Sequence, residues 1–260
     1  MKLYFKYIII LLKSQLQYKA SFYMTVFTQF LTPFTAFAGI YFLFERFGSI
    51  DGFGMYEVFF CFAVIGVCFS ISTCFARGFD SFPNMVKNAG FDRVLVRPRG
   101  VILQILGSNL DLKRIGHLMQ AIIVLIISIV GIGISWDIMK ALTVLNMLIG
   151  GSLIFTGVYM LQATAAFWTI DGLEAANVLT HGMKEYASYP LSIFPKWITA
   201  VFTFIIPFGV INYLPLQYLL GRTTGNAFFM MMVPLGGIVF ILPCLLFWRF
   251  GVRHYKSTGS

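Results

Sequence analysis

Six long apolar stretches divide the chain, running from Phe22 to Phe44, Val58 to Phe75, Ile115 to Ile134, Ala141 to Trp168, Ile198 to Tyr213 and Phe228 to Phe250. A bilayer core about 30 Å thick takes roughly 20 helical residues, so each stretch is expected to cross it once. The fifth is short and bounded by prolines. Ahead of them, Tyr7 to Leu12 is too short to span, and Lys13 follows it where a small-residue cleavage site would stand, so no signal peptide is predicted. Lys2, Lys6, Lys13 and Gln17 fall within about 60° of one another on a helical wheel. Residues 1–19 therefore read as an amphipathic helix on the inner leaflet with Phe5, Ile8 and Leu12 toward acyl chains, or else as an extension of the first span.

Composition agrees with the pattern. Of 260 residues, 58% are hydrophobic and 11% charged, whereas a soluble domain has about a quarter of its residues charged. The fold class is thus an all-α membrane protein of six transmembrane helices in one domain over residues 1–260, and soluble enzymes and secreted disulfide scaffolds are excluded. Cys61, Cys68, Cys74 and Cys244 lie in or beside apolar runs without CxxC spacing and read as reduced packing residues. The formal charge of +9 flanks apolar runs and does not build a basic face, so the partner it implies is membrane lipid and not nucleic acid.

With six spans both termini share one side. Of the 19 Lys and Arg residues, only Arg46, Lys140 and Arg222 fall on the other, which leaves 16 on the first and makes it cytoplasmic. The location expected is the inner (plasma) membrane. All ten acidic residues lie in predicted loops or at span ends. Ion-coupled transporters place ionisable groups at depth, so a secondary transporter or channel must rely on neutral groups such as Gln29 and Asn146. His117, His181 and His254 form no HExxH and no GxSxG is present, so a membrane-embedded enzyme has no visible catalytic or metal site. Without GxxxxGK[ST] the chain cannot bind ATP through a phosphate loop.

The longest polar segment, Ala76 to Gly116, joins the second and third spans. Phe79, Phe82, Met85 and Val86 recur at helical spacing, Gly90 is expected to end that turn, and Val94, Leu95 and Val96 precede Pro98. At Gly90-Phe91-Asp92-Arg93-Val94-Leu95-Val96-Arg97-Pro98 the sequence resembles the permease subunits of type-2 ATP-binding-cassette (ABC) exporters, whose loop commonly reads G-x-[LF]-D-x-x-L-x-[RK]-P. Tyr189 to Pro195, then Ile206-Pro207-Phe208 and Tyr213-Leu214-Pro215, is similar to the segment leading through their fifth span.

The resemblance implies a non-enzymatic transport subunit that pairs with a second permease, identical or related. It would dock on two cytoplasmic ATPase subunits, which bind ATP and Mg, through a coupling helix carrying Gly90, Phe91, Asp92, Arg93, Leu95, Arg97 and Pro98. Independently, a short helix with Phe91 and Leu95 beside Asp92, Arg93 and Arg97 can bury an apolar ridge in a partner while its charges set the register. The plainer alternative is a headgroup anchor. Asp111 and Arg114, three apart, are expected to form a local pair.

For cargo, Thr25, Thr28, Gln29, Thr32, Thr35, Ala36 and Gly39 share roughly 120° of the first span and should face protein or a cavity. A helix-packing seam and a transport route both fit that stripe. Asn146, Gly150, Gly157 and Thr164 read as a packing seam. Phe59, Phe62 and Phe69 are candidates to line a lipophilic route. An amphipathic interfacial helix is expected from Glu174, Asn177, His181, Lys184 and Glu185, with Tyr189 and Trp197 as anchors. By the same resemblance, part of residues 214–227 would fold back as an external re-entrant segment.

Overall fold

The computed structural model describes residues 2–50, 52–169, 180, 182–223 and 226–256. Among these the chain is helical throughout, and the only pairing of extended backbone is an isolated bridge between Ile50 and Phe53. Five helical runs are long and apolar enough to cross a membrane: Tyr4–Phe47, Met55–Lys87, Leu112–Ile132, Ile138–Ala165 and Ala227–His254. A bent pair of shorter helices brings the number to six if it counts as one span.

The first run is 44 residues long, about 66 Å at 1.5 Å per residue and twice the bilayer core. It divides into α1 (Lys2–Gln15), α2 (Lys19–Leu31) and α3 (Phe34–Phe47), with a break at Tyr18 (φ −107, ψ 71) and a turn at Thr32-Pro33. Proline has no N–H to continue the ladder, which is why the second break falls there. The face of α1 that meets the protein carries Tyr4, Tyr7, Leu11 and Gln15, while Phe5, Lys6, Ile9, Ile10 and Lys13 are exposed. The Tyr4 hydroxyl donates to the Phe75 carbonyl (2.9 Å), and Gln15 Nε2 donates to Leu110 O (2.6 Å).

Helix α4 (Met55–Asp80) is the axis of the molecule. α8 (Ile115–Ile132) and α9 (Ile138–Ala165) pack along it, and Ala227–His254 packs outside α9. Small residues set the closest approaches. A Cβ on Gly150 would run into the Pro234 carbonyl, and one on Gly237 into the Gly150 carbonyl. Asn146 Nδ2 donates to Met231 O (2.9 Å), and Gly157 lies against Phe240 and Cys244. The small-residue stripe of the fourth span is therefore a packing seam, where backbones approach closely enough for dispersion to replace the missing hydrophobic drive.

The fifth apolar stretch is a bent pair of helices. Lys196–Ile205 and Phe208–Leu219 meet at 79°, and arms of this length reach about 15 and 18 Å, roughly half a bilayer each. Ile206 is extended (φ −124, ψ 95), as the residue before a proline prefers, and Pro207 interrupts the hydrogen bonding. The break thus comes earlier than expected: residues 214–219 are helical, and irregular backbone past them begins only at Leu220.

The expected interfacial helix before this pair also needs correction. Asp171, Glu174, Asn177 and His181 lie outside the described residues. The helical residues 182–187, however, run up the bundle: Thr180 hydrogen-bonds Gln162 Oε1 (3.1 Å), Lys184 lies over Phe69 and Phe62 of α4, and the Ala187 carbonyl accepts from Asn212 Nδ2 (2.8 Å). Lys184 is thereby largely buried, while its neighbour Glu185 has 58% of its side chain exposed.

Candidate functional site

Between α4 and α8 the loop folds into three short helices, α5 (Phe82–Lys87), α6 (Gly90–Val96) and α7 (Val101–Leu106). Gly90 does not end a turn. Ala89 takes the left-handed conformation (φ 51) and Gly90 opens α6. Phe91 and Val94 turn inward; Leu95, Val96, Arg93, Arg97, Pro98 and Arg99 are exposed, Val96 by 85%. Asp92 is half-buried.

Phe91 is therefore not available to a partner as the spacing suggested. Its ring is fully buried among Phe82 (5.0 Å between centroids), Phe167 (5.6 Å) and Tyr255 (4.9 Å), and Phe82 in turn meets Trp248 (5.0 Å). One aromatic cluster so joins α6 to the ends of α4, α9 and the last span. Gln104, also buried, donates from Nε2 to Val94 O (3.1 Å) and Arg99 O (3.0 Å), fixing the turn that presents Arg97 to Arg99. A cleft of about 330 Å³ beside α6 is walled by Tyr7 of α1, Arg93, Arg97 and Gln104. At its margin Asp111 pairs with Arg114 at 3.5 Å, as the spacing predicted.

On the first span, Thr28, Thr32, Thr35 and Gly39 are exposed and Thr25 and Gln29 are partly buried. Among the described residues nothing covers the exposed positions. The threonine hydroxyls are already committed: Thr25 donates to Ser21 O (2.7 Å), Thr28 to Met24 O (2.9 Å), Thr32 to Thr28 O (2.8 Å) and Thr35 to Thr32 O (2.8 Å). The stripe offers a smooth small-residue face more than a row of donors.

Phe62 and Phe69 are buried in the chain. They form a platform for the Lys184 ammonium, which lies 5.9 and 5.4 Å from their ring centroids and 3.2 Å from Glu185 Oε1. The His117 ring lies 6.4 Å from that of Phe69. One turn further along α8, Gln120 is 1% exposed and neither amide atom has a hydrogen-bond partner among the described residues. Periodicity hid this group, because Lys184 and Glu185 fit an amphipathic helix as well as a crossing segment. The legible signal was Gln120, a lone amide inside the apolar run from Ile115 to Ile132.

At the opposite pole Arg222 closes the structure. It pairs with Glu57 (2.8 and 3.1 Å), lies 5.1 Å from the Phe53 centroid, and Glu57 also accepts the Gly54 N–H at the start of α4. No group of His, Cys, Asp or Glu suited to a metal occurs among the described residues, and the four cysteines are free and buried.

A family model described as ABC-2 family transporter protein matches residues 30–259. The chain belongs to the ABC-2 transporter family. No curated protein matches it. As an ABC-2 permease it is a multi-pass membrane transport subunit and not itself an enzyme, of a kind that associates with ABC ATPase subunits.

Proposed function

We propose that this ABC-2 permease is the membrane half of an ATP-driven exporter for a lipophilic or amphipathic cargo, with both termini cytoplasmic in the plasma membrane. Two ATPase subunits, which bind ATP and Mg, dock on α6, and a second permease covers the open face of the first span. The observation that carries this reading is the two-sidedness of α6. Outward it offers Leu95 and Val96 among Arg93, Arg97 and Arg99; inward Phe91 and Val94 grip the ends of three spans. A push from closing ATPases on such a helix is transmitted through packed rings, which deform little. α1, too long in line with the first span to cross with it, lies along the inner leaflet against the same loop. The bent pair before the last span is the broken crossing that brings the number to six, its irregular break at Ile206-Pro207 held among protein as bilayer depth requires.

The test is co-expression with its neighbouring genes and co-purification of any ABC ATPase among them, followed by Arg93→Glu with Arg97→Glu. The reading expects the ATPase to be lost and the permease to stay folded; an intact, active complex would remove the docking role of α6. Lys184, largely buried, is an ionisable group that an ion-coupled carrier could use, so export in ATP-free vesicles under an ion gradient alone is the decisive control.

A further inference from the structure

The polar group around Phe69 is unexplained by docking or by packing. Lys184 has 13% of its side chain exposed, at the depth of rings seven residues apart on α4. Ring faces attract its charge but accept no conventional hydrogen bond, and Glu185 is a poor counter-ion. Neighbours in a helix diverge, and the Glu185 side chain is 58% exposed, so the pair is held on one side only. A cation retained at such depth is costly and marks a pathway or binding site. Gln120 adds a second cost, since a buried amide without partners destabilises the chain that carries it. Arg114, His117 and Gln120 follow at steps of three along α8, from the cytoplasmic-facing loop inward.

We infer that Lys184, Gln120 and His117 form the binding site for the anionic headgroup, phosphate or carboxylate, of an amphiphilic cargo. All three supply N–H donors, and Lys184 supplies the charge. Of the acids, Asp111 is engaged by Arg114, and Glu185, paired with Lys184 at 3.2 Å but 58% exposed, is the ligand that an arriving anion would displace. An apolar cargo body repays the bilayer depth of the site, which a fully hydrated anion would have to reach by losing its water. The inference rests on the transport reading above and deepens it.

The permease–ATPase complex in phosphatidylcholine nanodiscs is titrated with tetradecyl phosphate, tetradecanol, tetradecyltrimethylammonium and inorganic phosphate, with binding read by native mass spectrometry and thermal shift. Saturable binding is expected for tetradecyl phosphate alone. Lys184→Gln should weaken it about tenfold or more, the worth of one charge-assisted hydrogen bond, and Lys184→Arg should retain most of it. Gln120→Leu should raise the unfolding temperature by removing the unpartnered amide, yet weaken binding several-fold. Unchanged affinity in Lys184→Gln, stabilisation by Gln120→Leu without loss of affinity, or preference for the trimethylammonium chain would each overturn the site. Inorganic phosphate binding as tightly would overturn the amphiphile. Absence of any ATPase from the unsubstituted preparation counts instead against the transport reading, so the two failures are distinct.

Discussion

The first and second spans are both apolar helices dotted with hydroxyl residues, yet their fates in the fold differ. In the second, 83% of the most apolar stretch is buried within the chain; in the first, 11%. Ser70 and Thr73 of the second span bond back to Gly66 O and Phe69 O, but two of its hydroxyls also reach across to neighbours: Ser72 donates to Ser152 O (2.6 Å) and Thr73 meets the Tyr159 hydroxyl (3.2 Å). Those of the first bond back to their own helix and face outward. The contrast separates a helix buried within the subunit from one whose face the described residues leave open.

The contrast can be broken at several points. The largest effect should come from the buried half: Gly150→Leu drives a side chain into the Pro234 carbonyl, and we expect loss of monodisperse protein on size-exclusion chromatography. Next, Leu95→Asp with Val96→Asp on α6 should abolish co-purification of the ATPase and leave the unfolding temperature near that of the parent, because both side chains point away from the core. Ser72→Ala removes one interhelical hydrogen bond and should cost about 1 kcal/mol in detergent unfolding. Smallest of all, Thr32→Val and Gly39→Leu on the first span should change the stability of the single chain by less than about 0.5 kcal/mol, since nothing lies within 4 Å of a Cβ at Gly39. The same Gly39→Leu should weaken permease pairing measured by cross-linking; equal cross-linking would place lipid, and not a second copy, on that face.

Much of the fold could be read from the chain. Apolar runs of bilayer length located four spans closely, the Gly and Asn spacing from Asn146 to Thr164 identified a seam, and Pro98 with its preceding charges marked the loop that carries α6. Local chemistry suffices in such cases, since each signal concerns neighbours in sequence. The 79° bend in the fifth stretch was not legible, because proline at 207 is equally compatible with a mild kink, and the choice depends on what packs against the two arms.

Which residue type sits at which helical spacing, and hence the membrane class, the charge bias and the family likeness, belongs to the sequence alone. Only the tertiary structure decided that Phe91 anchors where it was expected to bind, that the first-span threonines face out, and that Lys184 stands over Phe62 and Phe69 inside the bundle. Helical periodicity fixes which side chains share a face; which face is covered depends on partners far away in the chain, and that information is carried by packing.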